Sequence, residues 1–119
     1  MKKNLLISLF AGCCAMSCAE SSPPLAEIKK TVTEGRAVLV DVRERDEWNA
    51  GHLKAARFLP LSELQTSTKA AVGLPKDKPI YIHCRSGRRA VVAADLLKKQ
   101  GYDARSLPQG YSELNKEGL

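Results

Sequence analysis

Two short apolar runs constrain this chain more than anything else in it. Residues 37–42 read Ala, Val, Leu, Val, Asp, Val, and residues 79–83 read Pro, Ile, Tyr, Ile, His. Both are rich in β-branched residues and bounded by turn or polar residues, which predicts two buried strands. Around them the period changes from two to between three and four. Leu25, Ile28 and Val32 recur at helical spacing, with Gly35 as the stop.

The rest of the chain follows the same alternation. Residues 58–60 predict a brief extended piece ending at Pro60, and a helix begins at Leu61 and runs to about residue 72, broken by Gly73 and Pro75. A further helix is expected over residues 88–100, with Val92, Ala93, Leu96 and Leu97 turned inward. Lys98 and Lys99 suit its negative end, and Gly101 closes it. Residues 103–107 predict a third strand and residues 111–116 a terminal helix, while Trp48 reads as core. Strands alternating with helices define an α/β chain with a mostly parallel central sheet flanked by helices. At 119 residues there is room for one small domain. With 44% hydrophobic residues, such a domain buries a core without staples; with 5% aromatic, that core rests on Val, Leu, Ile and Ala. Functional sites in such sheets form at the carboxyl ends of strands.

The first twenty residues are a segment of another kind. Lys2 and Lys3 precede an apolar run over residues 5–15, which is too short to span a bilayer, and small residues follow at Ala15, Ser17 and Ala19. This order predicts a signal peptide over residues 1–19, a tether over 20–24 and a domain over 25–119. Export to the periplasm or cell envelope follows. Two processing routes stay open. Cleavage after Ala19 fits a small-x-small pattern. Alternatively, Ala15, Met16, Ser17, Cys18 resembles a bacterial lipobox, which makes Cys18 a lipidation candidate and a membrane tether. The formal net charge of +6 includes Lys2 and Lys3. The excess suits anionic substrates. It forms no stripe, and with so few aromatics for base stacking no nucleic-acid partner is expected.

Three of the four cysteines, at 13, 14 and 18, fall in that leader, so the body of the chain holds Cys84 alone. A single body thiol makes no intramolecular disulfide. It is either an inert core residue or a working one. Its setting favours the second. Cys84, Arg85, Ser86, Gly87, Arg88 and Arg89 join the end of a strand to the start of a helix. A helix start presents unpaired N–H groups and a positive dipole end, which favour an anion. Three arginines add positive charge, and Gly87 lets the loop curl so that N–H groups converge. The pattern describes an anion cradle with a sulfur nucleophile at its floor. His83 directly precedes the nucleophile, so alternation along the strand points the two side chains to opposite faces. His52 reads as a turn residue with a structural hydrogen bond. No His and Cys pair has metal-ligand spacing, and no metal or cofactor is expected.

The loop resembles the active-site loop of rhodanese-like domains, where a pattern close to Cys-x-x-Gly-x-Arg follows the central strand. Two more motifs agree in order. Leu39, Val40, Asp41, Val42, Arg43, Glu44, followed by Glu47, Trp48 and Gly51, His52, Leu53, is similar to the family's Asp-Val-Arg and Gly-His-Ile-Pro-Gly-Ala elements. Gly101, Tyr102 ahead of Leu107 and Gly110 is the third. The likeness covers roughly residues 25–117. Lys54 and Ala55 depart from the family's Pro and Gly, Pro108, Gln109, Gly110 replace part of a Leu-x-Gly-Gly stretch, and Leu114 stands in place of a Trp.

The resemblance implies a rhodanese-type sulfurtransferase. Cys84 takes a sulfane sulfur from thiosulfate or a similar small anionic donor and passes it to a thiol or cyanide acceptor. It also implies that Arg85, Ser86, Gly87, Arg88 and Arg89 bind substrate, with Arg89 alternatively turned toward the body of the domain. Asp41 and Arg43 support the site from the neighbouring strand end. A monomer is expected. Two other classes compete: a binding module on the same fold without turnover, and a Cys-dependent phosphatase. The phosphatase requires a loop one residue longer than the stretch from Cys84 to Arg89.

Overall fold

The computed structural model describes residues 22–119. The leader, its two processing routes and Cys18 lie outside the described residues. Nine elements follow in order: α1 (Leu25–Thr33), β1 (Val38–Asp41), α2 (Arg45–Ala50), β2 (Ala56–Phe58), α3 (Leu61–Thr66), β3 (Ile80–His83), α4 (Arg88–Lys99), β4 (Ala104–Ser106) and α5 (Tyr111–Lys116). The described strands form one parallel sheet in the order β2-β1-β3-β4.

Side chains alternate across this sheet and divide the core in two. Val40, Ile80 and Ile82 face one way, toward Leu61 and Leu64 of α3 and Ala90, Ala93, Ala94 and Leu97 of α4. Leu39 and Tyr81 face the other way, toward Ile28 of α1 and Leu114 of α5. Both faces of the sheet are covered, which is why β1 and β3 read as continuous apolar runs. Each fully buried aliphatic side chain in these layers contributes about 1.5–3 kcal/mol by leaving water. Leu114, in the position where a Trp is usual, is itself fully buried.

The register matters for the site. Asp41, the last residue of β1, pairs with His83, the last residue of β3. The two central strands therefore end level with each other, and Cys84 follows one step beyond that edge.

Four expectations need correction. The helix that starts at Leu61 ends at Thr66, because Ser67 is extended (φ −147°, ψ 127°). The Ser67 hydroxyl accepts from the Lys69 N–H, a local bond that competes with the helix, and Val72 is left outside. On α4 the inward face is Ala90, Ala93, Ala94 and Leu97, so Val92 points out at 44% exposure. Trp48 is not core: it is half-buried, stacked on His52 with ring centroids 3.7 Å apart. The helix α2 was not foreseen. The Glu44 N–H donates to the Glu47 carboxylate at 2.9 Å, the mark of a capping box, but no residue of α2 is buried. The end of α4 agrees with expectation. Gly101 (φ +94°) follows it, with its N–H on the Lys98 carbonyl and the Tyr102 N–H on the Leu97 carbonyl.

Candidate active site

Cys84 lies between β3 and the loop into α4, with its side chain turned toward the layer that holds Ala90 and Ala93. Its Sγ accepts a hydrogen bond from the Gly87 N–H at 3.0 Å. That contact needs the backbone to reverse within three residues. Gly87 makes the reversal at φ +96°, a left-handed conformation that side chains disfavour, and it is also the N-cap of α4. The sulfur thus sits at the N-cap of α4, the longest helix in the domain. One N–H of the expected cradle, that of Gly87, reaches the sulfur, and Cys84 is fully buried.

The loop is held from the other side by the chain leading into α5. The Tyr111 N–H donates to the Cys84 carbonyl at 2.9 Å. Gly110 packs directly on the Arg85 carbonyl, leaving no room for a Cβ. This explains the placement of a glycine within Pro108, Gln109, Gly110.

The three loop arginines have different settings. Arg85 and Arg88 are exposed and form no side-chain hydrogen bond or ion pair among the described residues, and Ser86 is exposed between them. Arg89 turns toward the body of the domain. Its Nη1 and Nη2 donate to the Glu47 carboxylate of α2 at 2.6 and 2.9 Å. The bonded guanidinium holds the Glu47 carboxyl down at about 2, against an ordinary 4.5. Glu47 raises the Arg89 pKa in return. Sequence reasoning did not single out Glu47. Its partner is 42 residues away, and in the sequence Glu47 stands only as one member of the second motif.

Asp41 and Arg43 do not touch Cys84; they build the floor beside it. The Arg43 Nε and Nη2 donate to the buried Asp41 carboxylate at 3.0 and 2.8 Å, and Nη2 also reaches the Gly51 carbonyl at 2.7 Å. The Arg43 guanidinium lies 4.2 Å over the Tyr111 ring. So Asp41 fixes Arg43, Arg43 carries Tyr111, and Tyr111 holds the Cys84 carbonyl. His83 closes the circle. It is fully buried, with Nδ1 3.4 Å from the Cys84 carbonyl oxygen and Nε2 3.8 Å from Asp41 Oδ2. Burial pushes its pKa down, against the pull of Asp41. Its ring projects to the sheet face opposite the thiol, as alternation requires. His52 makes the expected structural contact, its Nδ1 lying 3.0 Å from the Trp48 carbonyl oxygen.

The parallel sheet, the strand-to-helix loop and the sulfur facing a helix start define a rhodanese-like domain. The chain belongs to the rhodanese-like family, whose model matches residues 24–117. It is 33% identical over 106 residues to the human thiosulfate:glutathione sulfurtransferase, across 78% of this chain and 92% of that protein. It is 38% identical over 81 residues to the uncharacterized protein YqhL of Bacillus subtilis, and the match covers 62% of each chain. Among solved structures it resembles a human single-domain sulfurtransferase with a TM-score of 0.66 and 28% identity, across 80% of this chain and 95% of that one.

Proposed function

We propose that this chain is a sulfurtransferase that carries sulfane sulfur as a persulfide on Cys84. The observation that carries the reading is the 3.0 Å hydrogen bond from the Gly87 N–H to Cys84 Sγ, at the start of α4. Backbone donors aimed at a sulfur stabilise it as an anion, both as thiolate and as persulfide. The similarity to the human thiosulfate:glutathione sulfurtransferase supports the same reading.

In the first half-reaction the Cys84 thiolate attacks the outer sulfur of thiosulfate or a similar donor. A new S–S bond forms, the donor's S–S bond breaks, and sulfite leaves with the bonding pair. Arg85 and Arg88, both exposed at the loop, meet the donor's sulfonate end. In the second half-reaction a thiolate or cyanide attacks the outer persulfide sulfur, and Cys84 leaves as thiolate. No proton or electron is left over. Asp41 and Arg43 hold the geometry from the next strand.

Intact-mass measurement after thiosulfate treatment tests this reading. The wild-type protein gains one sulfur atom and loses it on addition of cyanide, while Cys84→Ser gains none. A wild-type protein that gains no sulfur, or a Cys84→Ser protein that does, overturns the proposal.

We further propose export with a lipid tether at Cys18. The basic, apolar and small-residue order of residues 1–19 supports it. The mass of the protein extracted from cell membranes distinguishes a diacylated Cys18 from a chain cut after Ala19.

A further inference from the structure

A loop built to attract anions carries three arginines, yet one of them is bound before any substrate arrives. Glu47 grips Arg89 at two points, 2.6 and 2.9 Å. The carboxylate is itself fixed, because Oε2 also accepts the Glu44 N–H at 2.9 Å within the first turn of α2. Glu44 is tied in turn to α3, accepting from the Ser62 hydroxyl at 2.7 Å. An arginine chelated by an anchored carboxylate does not swing away to meet a ligand at Cys84.

We propose that Glu47 is a specificity-determining residue that sets the charge over Cys84 by withholding Arg89 from anionic substrates. This deepens the sulfurtransferase reading and rests on it for the identity of the substrate. Arg89 is two residues beyond Gly87, the donor to Cys84 Sγ, so it lies in the field of the sulfur. After Glu47, a negative Cys84 is itself among the charges that favour the protonated guanidinium. With Glu47 in place the pair is nearly neutral when viewed from the sulfur, and Arg85 and Arg88 are the cations a donor meets. Without it, a third uncompensated positive charge joins Arg85 and Arg88 near Cys84.

The test needs no turnover. Cys84 in the full chain is alkylated with iodoacetate, an anion, and with iodoacetamide, its neutral analogue, and the Cys84 peptide is quantified by mass spectrometry. Both reagents attack the same thiolate, so the ratio of their rates cancels the thiolate fraction and reports the potential at the sulfur. Glu47→Gln raises the ratio about threefold at low salt, and added salt shrinks the gain. Glu47→Asp, which keeps the charge, stays near the wild-type ratio. Asp46→Asn removes the same charge from an exposed neighbour on α2 and leaves the ratio unchanged. Arg89→Gln leaves the Glu47 carboxylate uncompensated and lowers the ratio. This second variant decides the matter should Glu47→Gln fail to fold. Equal ratios for Glu47→Gln and Asp46→Asn, or an Arg89→Gln ratio at the wild-type value, overturn the proposal. A wild-type protein that takes no sulfur from thiosulfate would sink the functional reading and leave these ratios untouched.

Discussion

Gly110 lies face to face with the carbonyl of Arg85, so closely that its missing Cβ is what lets the two segments meet. One segment is the loop that follows Cys84 and the other leads into α5, whose first N–H binds the Cys84 carbonyl. Gly110→Ala must therefore push backbone against backbone, where no side chain can swing aside. The variant should lose about 1–3 kcal/mol of stability by urea denaturation. It should also take up sulfur from thiosulfate far more slowly than wild type.

Arg43 and Asp41 form a buried pair, with side-chain exposures of 6% and 0%. Arg43→Ala leaves a buried carboxylate without its partner, and removing one member of such a pair typically costs about 3–5 kcal/mol. Urea midpoints of Arg43→Ala, Asp41→Asn and the double variant check this. The double variant should be less damaged than the sum of the singles.

Acid should weaken the fold in two stages. His83 is buried and its pKa is lowered by that burial. Below its ordinary value of 6.5 the unfolded chain binds a proton that the folded chain resists, so stability falls as the pH drops through that point. Above about pH 6.5 this contribution is fully present. Glu47 acts lower down: its contribution is full above 4.5 and is lost between 4.5 and about 2. That second stage is the smaller one, because the pair with Arg89 is partly exposed and screened by salt. Urea midpoints at a series of pH values should show both stages. His83→Asn should flatten the first and leave the second.

Val92 faces water although the apolar pattern of α4 suggests otherwise. Val92→Lys should change stability by less than about 0.5 kcal/mol. Ala93→Val, one residue along, adds methyl groups to a fully buried position. Overpacking there should cost about 1–3 kcal/mol. Thermal or urea unfolding of the two variants checks the assigned face of the helix.

What the chain disclosed in advance follows from range. β1, β3 and the loop from Cys84 to Arg89 are written in consecutive residues, and apolar runs and a Gly in a tight turn are local facts. α5 was legible at both ends for the same reason. α2 was not, because none of Arg45, Asp46, Glu47, Trp48, Asn49 and Ala50 is fully buried and they show no apolar face. α3 was drawn too long because Gly73 and Pro75 read as its stop, whereas the chain leaves the helix at Ser67 and Val72 is 78% exposed. The pairing of Glu47 with Arg89 joins two helix starts that meet only once the sheet has formed. No spacing rule predicts it.

The hydrogen bond from Tyr111 to the Cys84 carbonyl has a consequence for the order of events during synthesis. Chains emerge amino end first, and the thiol leaves the ribosome before the segment that braces its peptide group. A nascent chain halted before Gly110 would own the sulfur atom but not the bond that braces its peptide group. The local shape at Cys84 thus waits on the arrival of α5.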